Sequence, residues 1–188
     1  MNRPLTDTHK AYLLKLARQS IAQTLGKTAV VRNTELDREL AYPAATFVTL
    51  TEANELRGCI GSLQASRNIV DDVIHVARSA AFHDPRFAPL TVAELATLDI
   101  EISVLTEPVP IYFASTAELY AQLQPNVDGV VVKQQSKQAT FLPQVWQQLP
   151  DCARFIEQLM LKAGIDPDTS ITALDVCRYQ VIDFHEPR

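Results

Sequence analysis

The 188 residues predict an α+β fold, mainly antiparallel sheet with helices packed against it. Three observations predict it. Residues 45–63 and 130–142 each read as two strand-like runs joined by a short turn, the way antiparallel neighbours connect. Apolar residues recur at three-to-four spacing over 6–25, 69–82 and 152–163, the signature of helices with one buried face. The composition, 47% hydrophobic and 21% charged, is that of a chain able to bury a core without staples.

The first helix is carried by Leu13, Leu14, Ala17, Ile21 and Leu25, with Thr6 or Thr8 to cap it and Gly26 to end it. His9, near its start, reads as a surface residue. Residues 27–43 read as a polar connection ending at Pro43. Thr46-Phe47-Val48-Thr49-Leu50 is β-branched and aromatic, and Glu52-Ala53-Asn54-Glu55 is a turn, so 45–63 reads as a hairpin. Ser66 or Asn68 caps the helix to about residue 82, in which His75 reads as a rim or core histidine held by a hydrogen bond. Pro85 and Pro89 forbid its continuation and leave 82–90 as a loop with aromatic anchors.

Thr91-Val92-Ala93-Glu94 is a capping-box pattern that predicts a short helix over 92–97. Leu98, Ile100, Ile102 and Val104 then alternate with Asp99, Glu101, Ser103 and Leu105, a strand with two distinct faces. Pro108 and Pro110 mark a subdomain boundary, which places a smaller lobe at about 108–150 within a single domain. Ser115 and Glu118 open another short helix. A second hairpin follows over 130–142, and Pro143 opens a helix holding Trp146. Asp151 caps the helix that Gly164 closes, and a final strand spans about 172–184.

The charge balance narrows the partners. A net charge of −5 with no Lys/Arg block argues against nucleic acid, whose phosphates need a clustered basic surface. No apolar run approaches the roughly 18 residues of a spanning helix, so no membrane is expected. Met1-Asn2-Arg3-Pro4-Leu5-Thr6-Asp7 has no apolar stretch of the signal-peptide kind. Cys59, Cys152 and Cys177 are odd in number and far apart, which fits reduced thiols in a cytoplasmic protein. No Cys or His pair has zinc spacing, and no phosphate-loop or dinucleotide fingerprint is complete, so neither metal nor cofactor is expected.

One run concentrates chemistry. Leu56-Arg57-Gly58-Cys59-Ile60-Gly61 holds two of the five glycines and one of the three cysteines. On a strand, Arg57, Cys59 and Gly61 would share a face. A guanidinium beside a thiol favours the thiolate, the reactive form. Glycine in a strand marks a bulge or a close approach by a ligand or another backbone. Cys152, in a helical first turn, and Cys177, on a strand, read as packing residues.

The hexapeptide resembles the signature of the AMMECR domain family. Asp84-Pro85-Arg86-Phe87, Pro89-Leu90, Glu101-Ile102-Ser103-Val104-Leu105, Ala139-Thr140-Phe141-Leu142-Pro143-Gln144-Val145 and Lys162-Ala163-Gly164 follow in the family's order, so the resemblance spans about residues 10–186. It implies two unequal, intimately joined lobes, with both chain ends in the larger one. It also implies likeness to protein A of the AmmeMemoRadiSam system, with a Memo-like protein and a radical SAM enzyme as partners. It implies a site, and no reaction.

Three readings of that site stand at this point. In a thiol enzyme, Cys59 is nucleophile or covalent anchor, Arg57 favours its thiolate or holds an anionic group, and His83 or Glu101 transfers the proton. In a binding or adaptor subunit, Gly58 and Gly61 let a small molecule, a peptide or the partner proteins approach closely. In a purely structural reading, Cys59 is enclosed in a tight strand. Asp84 and Arg86 read as a local turn cap; the resemblance implies instead that they line or brace the cysteine site.

Overall fold

The computed structural model describes residues 4–187, so residues 1–3 of the N-terminal run lie outside the described residues. In chain order the elements are α1 (Asp7–Thr24), α2 (Thr34–Glu39), β1 (Ala45–Glu52), β2 (Glu55–Gly61), α3 (Ile69–Phe82), β3 (Leu98–Leu105), β4 (Val109–Pro110), α4 (Thr116–Gln122), β5 (Gly129–Gln134), β6 (Lys137–Phe141), α5 (Cys152–Ala163), β7 (Asp175–Tyr179) and β8 (Val181–His185). They form an α+β structure with two four-stranded sheets, ordered β2-β1-β3-β8 and β4-β7-β5-β6. The chain divides into two compact units, Met1–Leu105 with Ile182–Arg188, and Thr106–Val181.

In the first unit, α1 starts where the Thr6 hydroxyl accepts the N–H of His9 and the His9 ring accepts the N–H of Thr6. Asn68 caps α3 through the N–H of Asp71. Ala53 and Asn54 both take positive φ, 51° and 66°, the backbone of a two-residue hairpin turn matched to strand twist. Leu13, Leu16 and Ile21 of α1, Val73 and Ala77 of α3, and Val48, Leu50, Ile100 and Ile102 of the sheet make a closed core. Each of the Leu, Ile and Val side chains among them contributes about 1.5–3 kcal/mol by leaving water. Buried Asp72 on α3 accepts from the Thr46 amide and hydroxyl at 3.1 and 2.7 Å, tying the helix to β1.

The second unit has its own core. Trp146 stacks on Phe155 with centroids 3.6 Å apart and planes within 6°, and its ring N–H donates to the Asp128 carbonyl at 2.7 Å. Leu119, Val130, Val132, Ile156 and Leu159 surround that pair. Gly164, at φ 72°, takes the left-handed conformation that ends α5.

The structure departs from the sequence reading in five places. Residues 34–39, expected as connection, form α2, whose Asn33 cap accepts from the amides of Glu35 and Leu36. The helix expected over 92–97 is a single 3-10 turn, Glu94–Ala96, and the helix holding Trp146 is the 3-10 turn Pro143–Gln147. His75 is exposed. The one final strand is two: β7 joins the second sheet and β8 the first. Gln180 between them donates to the Thr106 hydroxyl and accepts the Thr106 amide, both at 2.8 Å.

Candidate functional site around Cys59

The position of Cys59 follows from an irregularity in the hairpin. Glu52 faces Glu55 and Thr51 faces Leu56, but Leu50 faces Gly58 and Thr49 faces Cys59. Arg57 is therefore the extra residue of a β-bulge. Pairing the same residues with no bulge would set Cys59 opposite Val48, a fully buried core residue. The bulge turns Gly58 and Ile60 toward α3 and the core instead. Cys59 comes out on the other face of the sheet, partly exposed, with its sulfur 3.3 Å from the Thr49 hydroxyl.

β2 is an edge strand, and at Cys59 its outward backbone groups are both taken by the loop after α3. Asp84, 4% exposed, accepts the Cys59 amide at 2.9 Å. Its carboxylate also accepts the Arg86 amide at 3.1 Å, Arg86 Nε at 3.0 Å and Arg86 Nη2 at 2.8 Å. Arg86 Nη2 in turn donates to the Cys59 carbonyl at 3.2 Å. Asp84 and Arg86 thus stand where a neighbouring strand would, and one ion pair, buried at Asp84 and exposed at Arg86, fixes a single residue of the edge. The Arg86 guanidinium beside Asp84 holds that carboxyl far below the usual range against the opposing cost of burial, and the Cys59 and Arg86 amides add to the effect. Arg86 is itself held charged, first by Asp84 and in smaller part by the negative charge Cys59 can carry.

Arg57 does not serve the thiol. Its Nε donates to Glu94 at 2.6 Å, and its guanidinium lies 5.9 Å from the Phe87 ring centre. The other Glu94 oxygen accepts the amide and hydroxyl of Thr91, at 2.7 and 2.6 Å. Arg57 first, then Thr91, pull the Glu94 carboxyl down to about 2. The cation expected to prime Cys59 is thus neutralised elsewhere, and Arg86 takes the place beside the cysteine. Arg86 also lies 5.4 Å from the Phe87 ring centre, so two guanidinium groups share one aromatic anchor.

The remaining residues separate into those brought together and those not. Thr49 faces Cys59 on one side and Glu101 on the other, so the three form a row across the sheet. Glu101 is exposed, and two strand spacings, about 10 Å, lie between its backbone and that of Cys59. His83 is exposed at the end of α3, and no hydrogen bond joins its imidazole to Cys59. The glycines are explained by the protein's own packing. A Cβ at Gly58 would lie 2.3 Å from the Ala80 carbonyl oxygen, and one at Gly61 2.2 Å from the Phe47 ring. Burial first, then Asp151, pushes the Cys152 thiol up; burial, then Asp175, does so for Cys177. Among the described residues no cluster of His, Cys, Asp and Glu could hold a metal ion.

Thr49, Glu94 and Phe87 were missed in the sequence reading. Thr49 becomes the partner of Cys59 only through the bulge, and Glu94 meets Arg57 across 37 positions of chain.

The family model for AMMECR1 matches residues 14–184. The chain belongs to the AMMECR1 family. A protein of Methanothermobacter thermautotrophicus is 34% identical over 97% of both chains. One of Methanosarcina barkeri is 35% identical over 97% of this chain and 92% of its own. The crystal structure of an uncharacterised protein from Pyrococcus horikoshii superposes with a TM-score of 0.75 at 29% identity, covering 97% of this chain and 93% of that one. Within that match, residues 56–61 form the bulged part of the edge strand β2. No helix among the described residues is long and apolar enough to cross a membrane.

Proposed function

We propose that this AMMECR1-family chain is a thiol-dependent protein whose ligand binds on the sheet face that carries Cys59. The observation that supports this best is the clamp. A buried carboxylate and its arginine hold both backbone groups of one edge residue, while the bulge keeps the sulfur off the core face. In this reading Cys59 is nucleophile or covalent anchor, and the Thr49 hydroxyl is its hydrogen-bond partner. Arg86 Nη1, which makes no hydrogen bond among the described residues, takes an anionic group of the ligand. Glu101, at the far end of the row, takes a donor group. A Memo-like protein and a radical SAM enzyme are the partners proposed with this site, and the cytoplasm its compartment.

The reading is tested with small electrophilic fragments, scored by intact mass and peptide mapping. Fragments carrying a carboxylate are expected to label Cys59 ahead of Cys152 and Cys177, and ahead of their neutral analogues. In Arg86→Gln the preference for the carboxylate should disappear. Equal labelling of the three cysteines, or a carboxylate preference that survives Arg86→Gln, contradicts it.

A further inference from the structure

The second unit carries a recess that the Cys59 site does not use. It lies between the start of α4, one face of α5 and the loop that follows α5, with a volume of about 490 Å³, within the ~300–1,000 Å³ of small-molecule sites. Buried Ile156 and Met160 contribute apolar floor. Thr116, Tyr120 and Thr169 contribute hydroxyls, and Glu157 is the one ionisable carboxylate or amine among the lining residues. Among the described residues neither the Glu157 carboxylate, the Tyr120 hydroxyl nor the two threonine hydroxyls make a hydrogen bond. No Lys, Arg or His lines the recess, so it offers an anion nothing to pair with.

We propose that this recess binds a small organic amine, its ammonium set between the Glu157 carboxylate and the Tyr120 ring, with the hydroxyls accepting its remaining N–H groups. The geometry supplies what an ammonium needs: a carboxylate, an aromatic ring and hydroxyl acceptors on one concave surface. The local field agrees. Burial first, then Asp151 and Glu157 among its neighbours, push the Tyr120 phenol up, and no cation opposes them. The site is open and its carboxylate exposed, so binding is expected to be weak and to weaken further with salt.

The proposal stands apart from the Cys59 reading, and the failure of either leaves the other intact. The test is a titration of the whole chain with cadaverine, followed by amide chemical shifts at low ionic strength, with 1-pentanol and hexanoate alongside. Saturable shifts confined to α4, α5 and residues 165–173 are expected with cadaverine alone. Glu157→Lys should weaken cadaverine binding at least tenfold; Glu157 is exposed on its helix, so the variant should keep the wild-type spectrum elsewhere. Three results would overturn the proposal: hexanoate shifting the same residues, cadaverine binding Glu157→Lys as it binds wild type, or no saturable shift at all. Tighter binding of Nα-acetyl-lysine methylamide, whose amine is a lysine side chain, than of cadaverine would overturn the assignment to a small molecule in favour of a lysine-bearing peptide.

Discussion

A methyl group at Gly58 would lie 2.3 Å from the Ala80 carbonyl oxygen, a backbone atom that cannot swing aside. Gly58→Ala must therefore push α3 from β2, at a cost of about 1–3 kcal/mol, read as a lower urea midpoint. The two carboxylates beside the site set an acid sensitivity. Glu94 and Asp84 both hold fewer protons folded than unfolded, so stability rises with pH through their window. The Glu94 contribution is present above its ordinary 4.5 and is lost as pH falls toward about 2. The Asp84 contribution is present above its ordinary 3.8 and fades only at still lower pH. Urea midpoints measured from pH 6 to pH 2 should fall through this range, and Glu94→Gln should flatten the part between 4.5 and 2. An unchanged slope in that variant would show that the Arg57 pair contributes nothing.

The elements show what a linear pattern conveys and where it stops. The caps and apolar stripes of α1, α3 and α5 are local, and the periodicity of β3 is unbroken, so all four are legible in the sequence. α2 has six residues and no buried side chain, which leaves no stripe to find; only the Asn33 cap could have pointed to it. Asn33→Ala is expected to cost about 1 kcal/mol and to raise amide exchange over 34–39. The bulge is the larger loss. Alternation along β2 reads the same with or without an extra residue, so nothing in it separates Cys59 from Arg57. Deleting Arg57 should remove the bulge and leave Cys59 opposite Thr49, so the sulfur stays on the open face and its alkylation at equal reagent is kept. Suppressed alkylation in that variant would contradict the register described for Cys59.

At the scale of the molecule, the hexapeptide and the order of its companion runs carry the family resemblance, because those runs are sequence-local. The clamp itself was only half visible: Asp84 and Arg86 read equally as a turn cap, and they do cap that turn while reaching back 25 positions to Cys59. The division of the last strand between two sheets left no mark on a period-two pattern, which cannot say which neighbour a strand pairs with. Each unit has its own core, and Trp146, the one tryptophan, lies in the second. Phe155→Ala removes its stacking partner and should cost about 3–5 kcal/mol, seen as a lower midpoint and altered emission in tryptophan-detected unfolding. A wild-type midpoint in that variant would contradict the packing described.

The measurement closest to the central claim is the iodoacetamide rate of each cysteine against pH, resolved by peptide mass. Cys59 should react first at every pH, well ahead of Cys152 and Cys177, whose thiols burial and acidic neighbours hold protonated. If Cys59 reacts no faster than those two, the clamp presents nothing to solvent and the strand is only structure.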